Sequence, residues 1–277
     1  MDLNTITGVK RPADQAEITD WRPGHAWLAG GTWLFSEPQL GTDTLVDLHG
    51  LNWPALVVSP HELEIAATCR IIELDHYEPP VSWAAGPLIS LCCRSLLASF
   101  KVTNAATVGG NICMSLPAGA LSTLSVALEG RYTLLARDGG RREVAAVDFI
   151  TGNNRNVLAP GELLRSIHLP AAALARRFAW RRSSLTHLGR SAALLVGTRD
   201  GDALLLTVTA ATPRPVQLRF DIWPDADRLR RAIDDAIAAD GYFDDVNGTP
   251  AYKRHLTYRF AEQIRTELTG PQQERAQ

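Results

Sequence analysis

The segment ATVGGNI, residues 106–112, carries more structural information than any other stretch of this 277-residue chain. An earlier segment, LAGGT at 28–32, also contains a Gly-Gly pair next to a threonine. Glycine lets the backbone approach a diphosphate closely, and the amides of such a loop can donate hydrogen bonds to it. Neither segment has the GxGxxG spacing of a Rossmann site or the GxxxxGK[ST] spacing of a P-loop, so no standard NAD or ATP site is predicted. Either Gly-Gly pair, taken alone, is equally compatible with an ordinary turn.

Short predicted strands surround the two glycine segments. Apolar runs broken by Gly, Asn and Pro predict strands at 26–29, 44–48, 55–59 and 62–67. The first of these runs leads directly into LAGGT. The glycine pair therefore follows a strand, which is where a loop that binds a ligand through its backbone is expected.

Helices and a hairpin are predicted on either side of ATVGGNI. The spacing of apolar residues predicts a helix over 87–99, which begins with a proline, and a second over 118–128 with one apolar face. Runs at 132–137 and 143–147 flank an Asp-Gly-Gly turn, a pattern typical of a β-hairpin.

The pattern changes near residues 170–177, where we predict a domain boundary. From about 178 onward, four apolar runs joined by short turns predict an antiparallel sheet. Two helices are then predicted, the first with an apolar stripe from Leu229 to Ile237. The second begins with Thr249 as its cap and Pro250 at its first position, and it ends near Gly270.

Composition excludes several function classes. The net charge is −2, from 28 Lys and Arg against 30 Asp and Glu, so binding to nucleic acid through phosphate neutralisation is not expected. No apolar run is long enough to span a membrane, and the first residues lack the apolar core of a signal peptide, so we expect a cytoplasmic protein. The four cysteines form no CxxC pair, and we expect them to be structural; no metal site is predicted.

Taken together and in order, the two glycine segments resemble the FAD-binding medium subunit of the molybdenum hydroxylases. This family includes xanthine dehydrogenase, aldehyde oxidase and the aerobic carbon monoxide dehydrogenase. Further segments resemble the family at corresponding places along the chain: LVDL at 45–48, AAT at 66–68, PAGAL at 117–121, ELLRSIHLP at 162–170 and TPAYKRHL at 249–256. The resemblance therefore covers nearly the whole chain.

The resemblance implies an α+β fold in two parts. Residues 1–172 would form a two-lobed FAD-binding domain of the p-cresol methylhydroxylase/vanillyl-alcohol oxidase type, with lobes at about 1–55 and 56–172. Residues 173–277 would form a smaller C-terminal domain, an antiparallel sheet with helices.

The resemblance also implies a set of residues around FAD. Leu97 and Ala98 would lie beside the cofactor at the end of the helix before ATVGGNI, and Leu163 and Leu164 would pack against the isoalloxazine ring. The full set is Ala29, Gly30, Gly31, Thr32, Trp33, Leu34, Leu97, Ala98, Ala106, Thr107, Gly110, Asn111, Cys113, Gly119, Ala120, Leu163 and Leu164. No catalytic side chain is implied, because the flavin performs the redox chemistry.

The function implied is that of an electron-transfer subunit in a heterotrimer. Its partners would be a molybdopterin-binding large subunit, where substrate is hydroxylated, and an iron–sulfur small subunit. Electrons would pass from the iron–sulfur centres through FAD to an external acceptor such as NAD⁺, a quinone, a cytochrome or oxygen.

Two positions depart from the family pattern and keep alternatives open. Trp33 stands where relatives usually have a polar or acidic residue, and Ala120 stands where they usually have an aspartate that bonds the cofactor. One alternative is therefore a structural or docking subunit of the same fold that has lost FAD. Another, from a different class, is a free-standing flavin reductase of the same superfamily.

Overall fold

The computed structural model describes residues 3–186 and 189–270, and this part of the chain folds into four β-sheets with helices packed against them. The strands are β1 (Gly8–Lys10), β2 (His25–Leu28), β3 (Thr44–Asp47), β4 (Leu56–Val58), β5 (Glu62–Ala66), β6 (Arg131–Leu135), β7 (Arg141–Ala145), β8 (Ile150–Gly152), β9 (Arg155–Asn156), β10 (Leu163–Pro170), β11 (Arg177–Ser184), β12 (Ser191–Asp200), β13 (Ala203–Thr209) and β14 (Val216–Phe220). The helices are α1 (Ile71–Asp75), α2 (Pro87–Ser95), α3 (Phe100–Ala105), α4 (Val108–Cys113), α5 (Ala120–Ala127), α6 (Ala146–Phe149), α7 (Ala171–Leu174), α8 (Ala226–Ala236) and α9 (Pro250–Thr269).

The N-terminal sheet is parallel, with the order β1-β3-β2. Its central strand, β3, buries Leu45 and Val46 and continues into a short 3-10 helix, Leu48–Leu51. Strand β2 ends at Leu28, so the first glycine segment leaves this sheet at the end of an edge strand.

The second sheet is antiparallel, with the order β4-β5-β10-β6-β7. Apolar residues of alternate positions on β5 and β10, such as Leu63 and Ile167, face the main core together with helices α2, α4 and α5. The register of β10 shifts at Arg165, between Leu164 and Ser166, which forms a β-bulge. The predicted hairpin is confirmed as β6 and β7, and Gly139 takes the left-handed conformation that its turn requires.

A cluster of apolar side chains joins these two sheets, and we call it the junction cluster. It consists of buried Ile18, Leu48, Leu51, Leu135 and Leu163, with partly buried Trp27, Ala29 and Trp53 packed against it. Because Ala29 belongs to the first glycine segment and Leu163 to β10, the cluster connects that segment to the second sheet.

Helix α5 is buried over its whole length. The sequence predicted a helix over 118–128 with a single apolar face, but the structure places it at Ala120–Ala127 and buries all of its residues. The reason is that α5 packs against α2 and α4 on one side and against β12 and β13 on the other. The hydroxyl groups of Thr123 and Thr209 share a buried hydrogen bond of 2.8 Å across this contact.

The C-terminal sheet confirms the predicted antiparallel pattern, with the order β11-β12-β13-β14. It separates two cores: Val196 of β12 belongs to the main core, whereas its neighbour Leu195 belongs to a second core under α8 and α9. Helix α9 begins as predicted, with the Thr249 hydroxyl accepting a hydrogen bond from the Tyr252 amide at 3.3 Å and Pro250 at the first position.

The predicted helix over 87–99 is correct up to Ser95 and wrong for its last four residues. Helix α2 ends at Ser95, and Ser99 caps a new helix, α3, by accepting a hydrogen bond from the Val102 amide. Leu97 and Ala98 therefore lie in a loop and not at the end of a helix. The amide of Ala98 donates to the carbonyl of Leu96 at 2.8 Å, which closes the tight turn between the two helices.

We predict that the Thr123–Thr209 hydrogen bond couples α5 to the C-terminal sheet. Thr123→Val and Thr209→Val should each lower the free energy of unfolding by about 1–3 kcal/mol, because each leaves a buried hydroxyl with fewer partners. The double variant should lose less than the sum of the two, which a denaturation-based double-mutant cycle measures. Thr151→Val, at an exposed position, is the control. Strict additivity would contradict the coupling.

Candidate functional site

The two glycine segments touch each other through their backbones. A Cβ atom built on Gly30 would lie 2.0 Å from the carbonyl oxygen of Ala105 and 2.9 Å from the Cα of Ala106. Only a residue without a side chain allows this approach. The sequence placed these residues far apart along the chain, and the fold brings them into direct contact.

The first glycine segment forms a turn held by its carbonyl groups. The amide of Phe35 donates to the carbonyl of Gly31 at 2.8 Å, and the amide of Ser36 donates to that of Trp33 at 2.9 Å. Gly31 has φ +68°, and the ring of Phe35 lies where its side chain would be. Glycine is required here for both reasons.

The amides of this turn point to anion binding. Among the described residues, the backbone N–H groups of Gly30, Gly31, Thr32 and Trp33 donate to no protein acceptor. Consecutive unpaired amides around a left-handed residue form the concave sites in which proteins bind anions. The segment from Ala29 to Leu34 is only partly buried or exposed, so the turn is accessible.

The second glycine segment uses its amides internally. The amides of Val108 and Gly109 donate to the carbonyls of Cys69 and Ala67 at 2.8 and 2.9 Å, and the Gly110 amide donates to the Thr107 hydroxyl at 3.1 Å. The expectation that both segments offer amides to a diphosphate is therefore supported for the first segment only.

The two glycines of the second segment have different surroundings. A Cβ on Gly109 would lie 2.4 Å from the Cβ of Ala67, so this residue allows α4 to pack closely on the chain after β5. Gly110 is exposed, and the only atom near its hypothetical Cβ is the Thr107 hydroxyl at 2.9 Å. Gly110 therefore presents bare backbone to a ligand, whereas Gly109 serves packing.

Asn111 and Cys113 hold helix α4 in place. The Asn111 side-chain oxygen accepts a hydrogen bond of 3.4 Å from the Leu121 amide in the first turn of α5. The carbonyl of Cys113 accepts one of 3.0 Å from the Asn156 side chain. Burial raises the pKa of the Cys113 thiol to about 12, so this thiol is uncharged at neutral pH.

Gly119 and Ala120 present no polar side chain to the site. Gly119 is the cap residue of α5, and Ala120 is fully buried. Position 120 is therefore enclosed by the protein. Ala106 and Thr107 are also buried, whereas Trp33 exposes 38% of its surface beside the first segment.

Leu163 and Leu164 point to opposite faces of β10. Leu163 belongs to the junction cluster with Ala29, whereas Leu164 belongs to the main core. Neighbouring residues of a strand alternate between its faces, so only Leu163 lies on the side of the first glycine segment. The structure thus brings Ala29–Leu34, Ala106, Thr107, Gly110 and Leu163 together, and it turns Leu164 and Ala120 into the interior.

Sequence analysis missed Glu162, which anchors the chain entering β10. Its buried carboxylate accepts two hydrogen bonds of 2.7 Å from Arg142 and one of 3.0 Å from the Ala159 amide. The indole of Trp27 donates to the Glu162 carbonyl at 3.3 Å, which ties β2 to β10. Burial acts to raise the pKa of Glu162, but the bonds from Arg142 and Ala159 outweigh it and the pKa is lowered. Glu162 is the first residue of the ELLRSIHLP segment, but nothing in the sequence indicated that its carboxylate would pair with Arg142.

Two further observations limit the chemistry of the described residues. In residues 3–186 and 189–270, no three His, Cys, Asp or Glu side chains are arranged to hold a metal ion.

A cavity of about 320 Å³ lies in the N-terminal part between Lys10, Ile18, Trp21 and Trp27, and none of the residues that line it comes from a glycine segment.

Comparison with known proteins identifies a family. The family described as the FAD binding domain in molybdopterin dehydrogenase matches residues 6–172. The carbon monoxide dehydrogenase medium chain of Hydrogenophaga pseudoflava is 31% identical over 161 residues, which cover 57% of this chain and 53% of that protein. Xanthine dehydrogenase 2 of Arabidopsis thaliana is 26% identical over 122 residues, 42% of this chain and 9% of that protein. These matches span about half of the first relative and under a tenth of the second.

Solved structures confirm the predicted α+β fold. A chain of quinoline 2-oxidoreductase from Pseudomonas putida 86 superposes with a TM-score of 0.79 at 19% identity, over 96% of this chain and 98% of that one. A chain of carbon monoxide dehydrogenase from Hydrogenophaga pseudoflava gives a TM-score of 0.81 at 21% identity, over 95% and 97%. No helix in the described part of the chain is both long and apolar enough to cross a membrane.

We predict that Gly30→Ala separates the two glycine segments. The new methyl group would overlap the Ala105 carbonyl, which is backbone and cannot turn away, so the free energy of unfolding should fall by about 1–3 kcal/mol. Gly41→Ala is the matched control, because nothing lies within 4 Å of its hypothetical Cβ. Chemical denaturation of both variants tests this. Equal stabilities would contradict the close contact.

We also predict that Glu162 contributes to stability in a pH-dependent way. Its folded-state pKa lies below the ordinary pKa of a glutamate, so its contribution is complete above that ordinary pKa and is lost as the pH falls through the lowered folded-state pKa. Glu162→Gln should lower stability at neutral pH and reduce the acid-induced loss. Denaturation curves across the acid range measure this. Glu143→Gln, which removes an exposed carboxylate from β7, is the control; an identical acid response in both variants would contradict the prediction.

Proposed function

This chain belongs to the family of the FAD binding domain in molybdopterin dehydrogenase, and we propose that it is the electron-transferring subunit of a molybdenum-containing hydroxylase. FAD is the cofactor of this family. The observation that carries the proposal for this chain is the row of unpaired amides from Gly30 to Trp33, set against the second glycine segment.

The residues present fit a bound FAD. The diphosphate is the anionic part of the cofactor, and the amides of Gly30, Gly31, Thr32 and Trp33 are the donors in the site that lack a protein acceptor. Close approach of the backbone is possible at Gly110, which has neither a side chain nor a covering neighbour. The buried Thr107 hydroxyl caps α4 and fixes the position of Gly110.

Trp33 supplies an aromatic surface next to these amides. Its ring is partly exposed, on the turn whose amides are unpaired. An accessible indole ring can stack on a planar ring of a flavin nucleotide. Partly buried Ala29 packs with buried Leu163 in the junction cluster, which anchors the turn to β10.

The chain's own residues bind and orient the cofactor. Bound FAD supplies the redox chemistry, and the protein positions it and sets its surroundings. The Glu162–Arg142 pair holds the start of β10, and the Trp27 hydrogen bond ties β2 to it. Together they fix the position of Leu163 relative to Ala29. The site therefore needs rigid backbone more than it needs a reactive side chain.

The assembly belongs to the same proposal. We propose a molybdopterin-binding large subunit and an iron–sulfur small subunit as partners, in a cytoplasmic heterotrimer that passes electrons to an external acceptor. We also propose that residues 1–172 form the FAD-binding domain, with lobes at about 1–55 and 56–172, and that 173–277 form a C-terminal domain. The separate core beneath α8 and α9 supports that division.

The test is isolation of the tagged chain from the organism that encodes it. We expect stoichiometric FAD, released by heat and identified by its absorption and fluorescence, together with two further polypeptides that contain molybdenum and iron. A colourless assembly that stays colourless after incubation with FAD would contradict the cofactor and support a docking subunit. A flavin-containing chain that is isolated alone and turns over a substrate alone would contradict the assembly.

A further inference from the structure

Arg165 contacts two residues, Ala67 and Trp53, of which one packs on the second glycine segment and the other on the junction cluster. Its carbonyl accepts a hydrogen bond of 3.0 Å from the amide of Ala67, the residue against which Gly109 packs. Its guanidinium carbon lies 4.5 Å from the centre of the Trp53 ring, and Trp53 packs on the junction cluster together with Ala29. The residue thus has one neighbour associated with each glycine segment.

The β-bulge determines where this side chain goes. The register of β10 shifts between Leu164 and Ser166, so Arg165 has no partner of its own on β6. Bulges redirect side chains and are frequent beside functional sites. Arg165 directly follows Leu163 and Leu164, one of which faces the first glycine segment.

The guanidinium makes unusually few polar contacts for its burial. The side chain is 21% exposed, and its one ion pair within the described residues is a 3.4 Å contact between Nη1 and the Glu64 carboxylate. Nη1 is buried and makes no hydrogen bond, so the exposed part of the side chain belongs to its other atoms. Burial also lowers the pKa of Arg165, a sign that its charge is incompletely compensated. Guanidinium groups usually engage several acceptors in a fork geometry.

We infer that Arg165 is a further contact for the bound flavin nucleotide and donates hydrogen bonds to one of its oxygen or nitrogen acceptors. This inference rests on the proposed function, because it requires a nucleotide at the glycine segments. The Trp53 ring orients the guanidinium plane, and Glu64 holds its buried end, which leaves the remaining N–H groups for the ligand. The chemistry suits a ribose hydroxyl, a phosphate oxygen or a ring nitrogen.

The test uses nucleotide binding by the full-length apoprotein. We compare the wild-type chain with Arg165→Met, which removes the donors, and Arg165→Lys, which keeps the charge without the fork. Flavin fluorescence reports binding of FAD and of FMN, and competition against FAD reports binding of ADP. Arg131→Met is the matched control, because it removes a cation from the same sheet that is already hydrogen-bonded to Glu62.

We expect Arg165→Met to weaken FAD binding about ten-fold or more, with Arg165→Lys between it and the wild type and Arg131→Met unchanged. A parallel loss of ADP affinity assigns the contact to the adenosine diphosphate half, and a parallel loss of FMN affinity assigns it to the flavin half. The melting temperature of each apoprotein shows whether the variant is folded. If the role of Arg165 were purely structural, Arg165→Met would lower the melting temperature but leave the FAD affinity unchanged wherever all variants are folded.

Two results separate the failure of this inference from that of the proposed function. Unchanged affinities in Arg165→Met, or an equal loss in Arg131→Met, would overturn the role of Arg165 while leaving FAD binding intact. A wild-type chain that binds none of the three nucleotides would instead overturn the FAD site itself.

Discussion

The complete burial of helix α5 is the constraint on which the site depends. A helix without a solvent face must satisfy its polar groups through its neighbours. Asn111 therefore bonds to the Leu121 amide, and Gln217 bonds to the Val126 carbonyl, in addition to the Thr123–Thr209 pair. Because Asn111 belongs to α4, the same hydrogen bond that satisfies α5 also positions the second glycine segment. The position of the second glycine segment is thus a consequence of core packing.

The two glycine segments look alike in sequence but differ in how their amides are hydrogen-bonded. In the second, Thr107 caps a helix, and backbone carbonyls of the chain after β5 accept hydrogen bonds from the amides of Val108 and Gly109. These amides are therefore not available to a ligand. In the first, the chain turns without entering a helix, so its amides keep no partner. Each pair contains one glycine that packs on another backbone, Gly30 on Ala105 and Gly109 on Ala67, so the two pairs differ in whether their amides find protein acceptors. This difference arises from contacts between segments distant in sequence, so the Gly-Gly pair alone does not predict it.

Local patterns explain what the sequence predicted correctly. The Asp-Gly-Gly hairpin and the Thr249–Pro250 helix start depend on residues a few positions apart, and both are found in the structure. The break between α2 and α3 was missed because the apolar spacing continues through it, although Ser99 is a recognisable cap. The enclosure of Ala120, the inward face of Leu164 and the Glu162–Arg142 pair depend on contacts between distant segments, which one sequence does not show. The α+β fold itself was predicted from the family resemblance and is confirmed by the solved structures.

The enclosure of Ala120 has a consequence for how this chain can evolve. An aspartate introduced at that position would place a carboxylate within the main apolar core, where a charge without a partner is strongly destabilising. An acidic residue there would therefore need a compensating cation from a second substitution nearby. The alanine is in this sense entrenched: its replacement by a charged residue is not a single, independent mutational step.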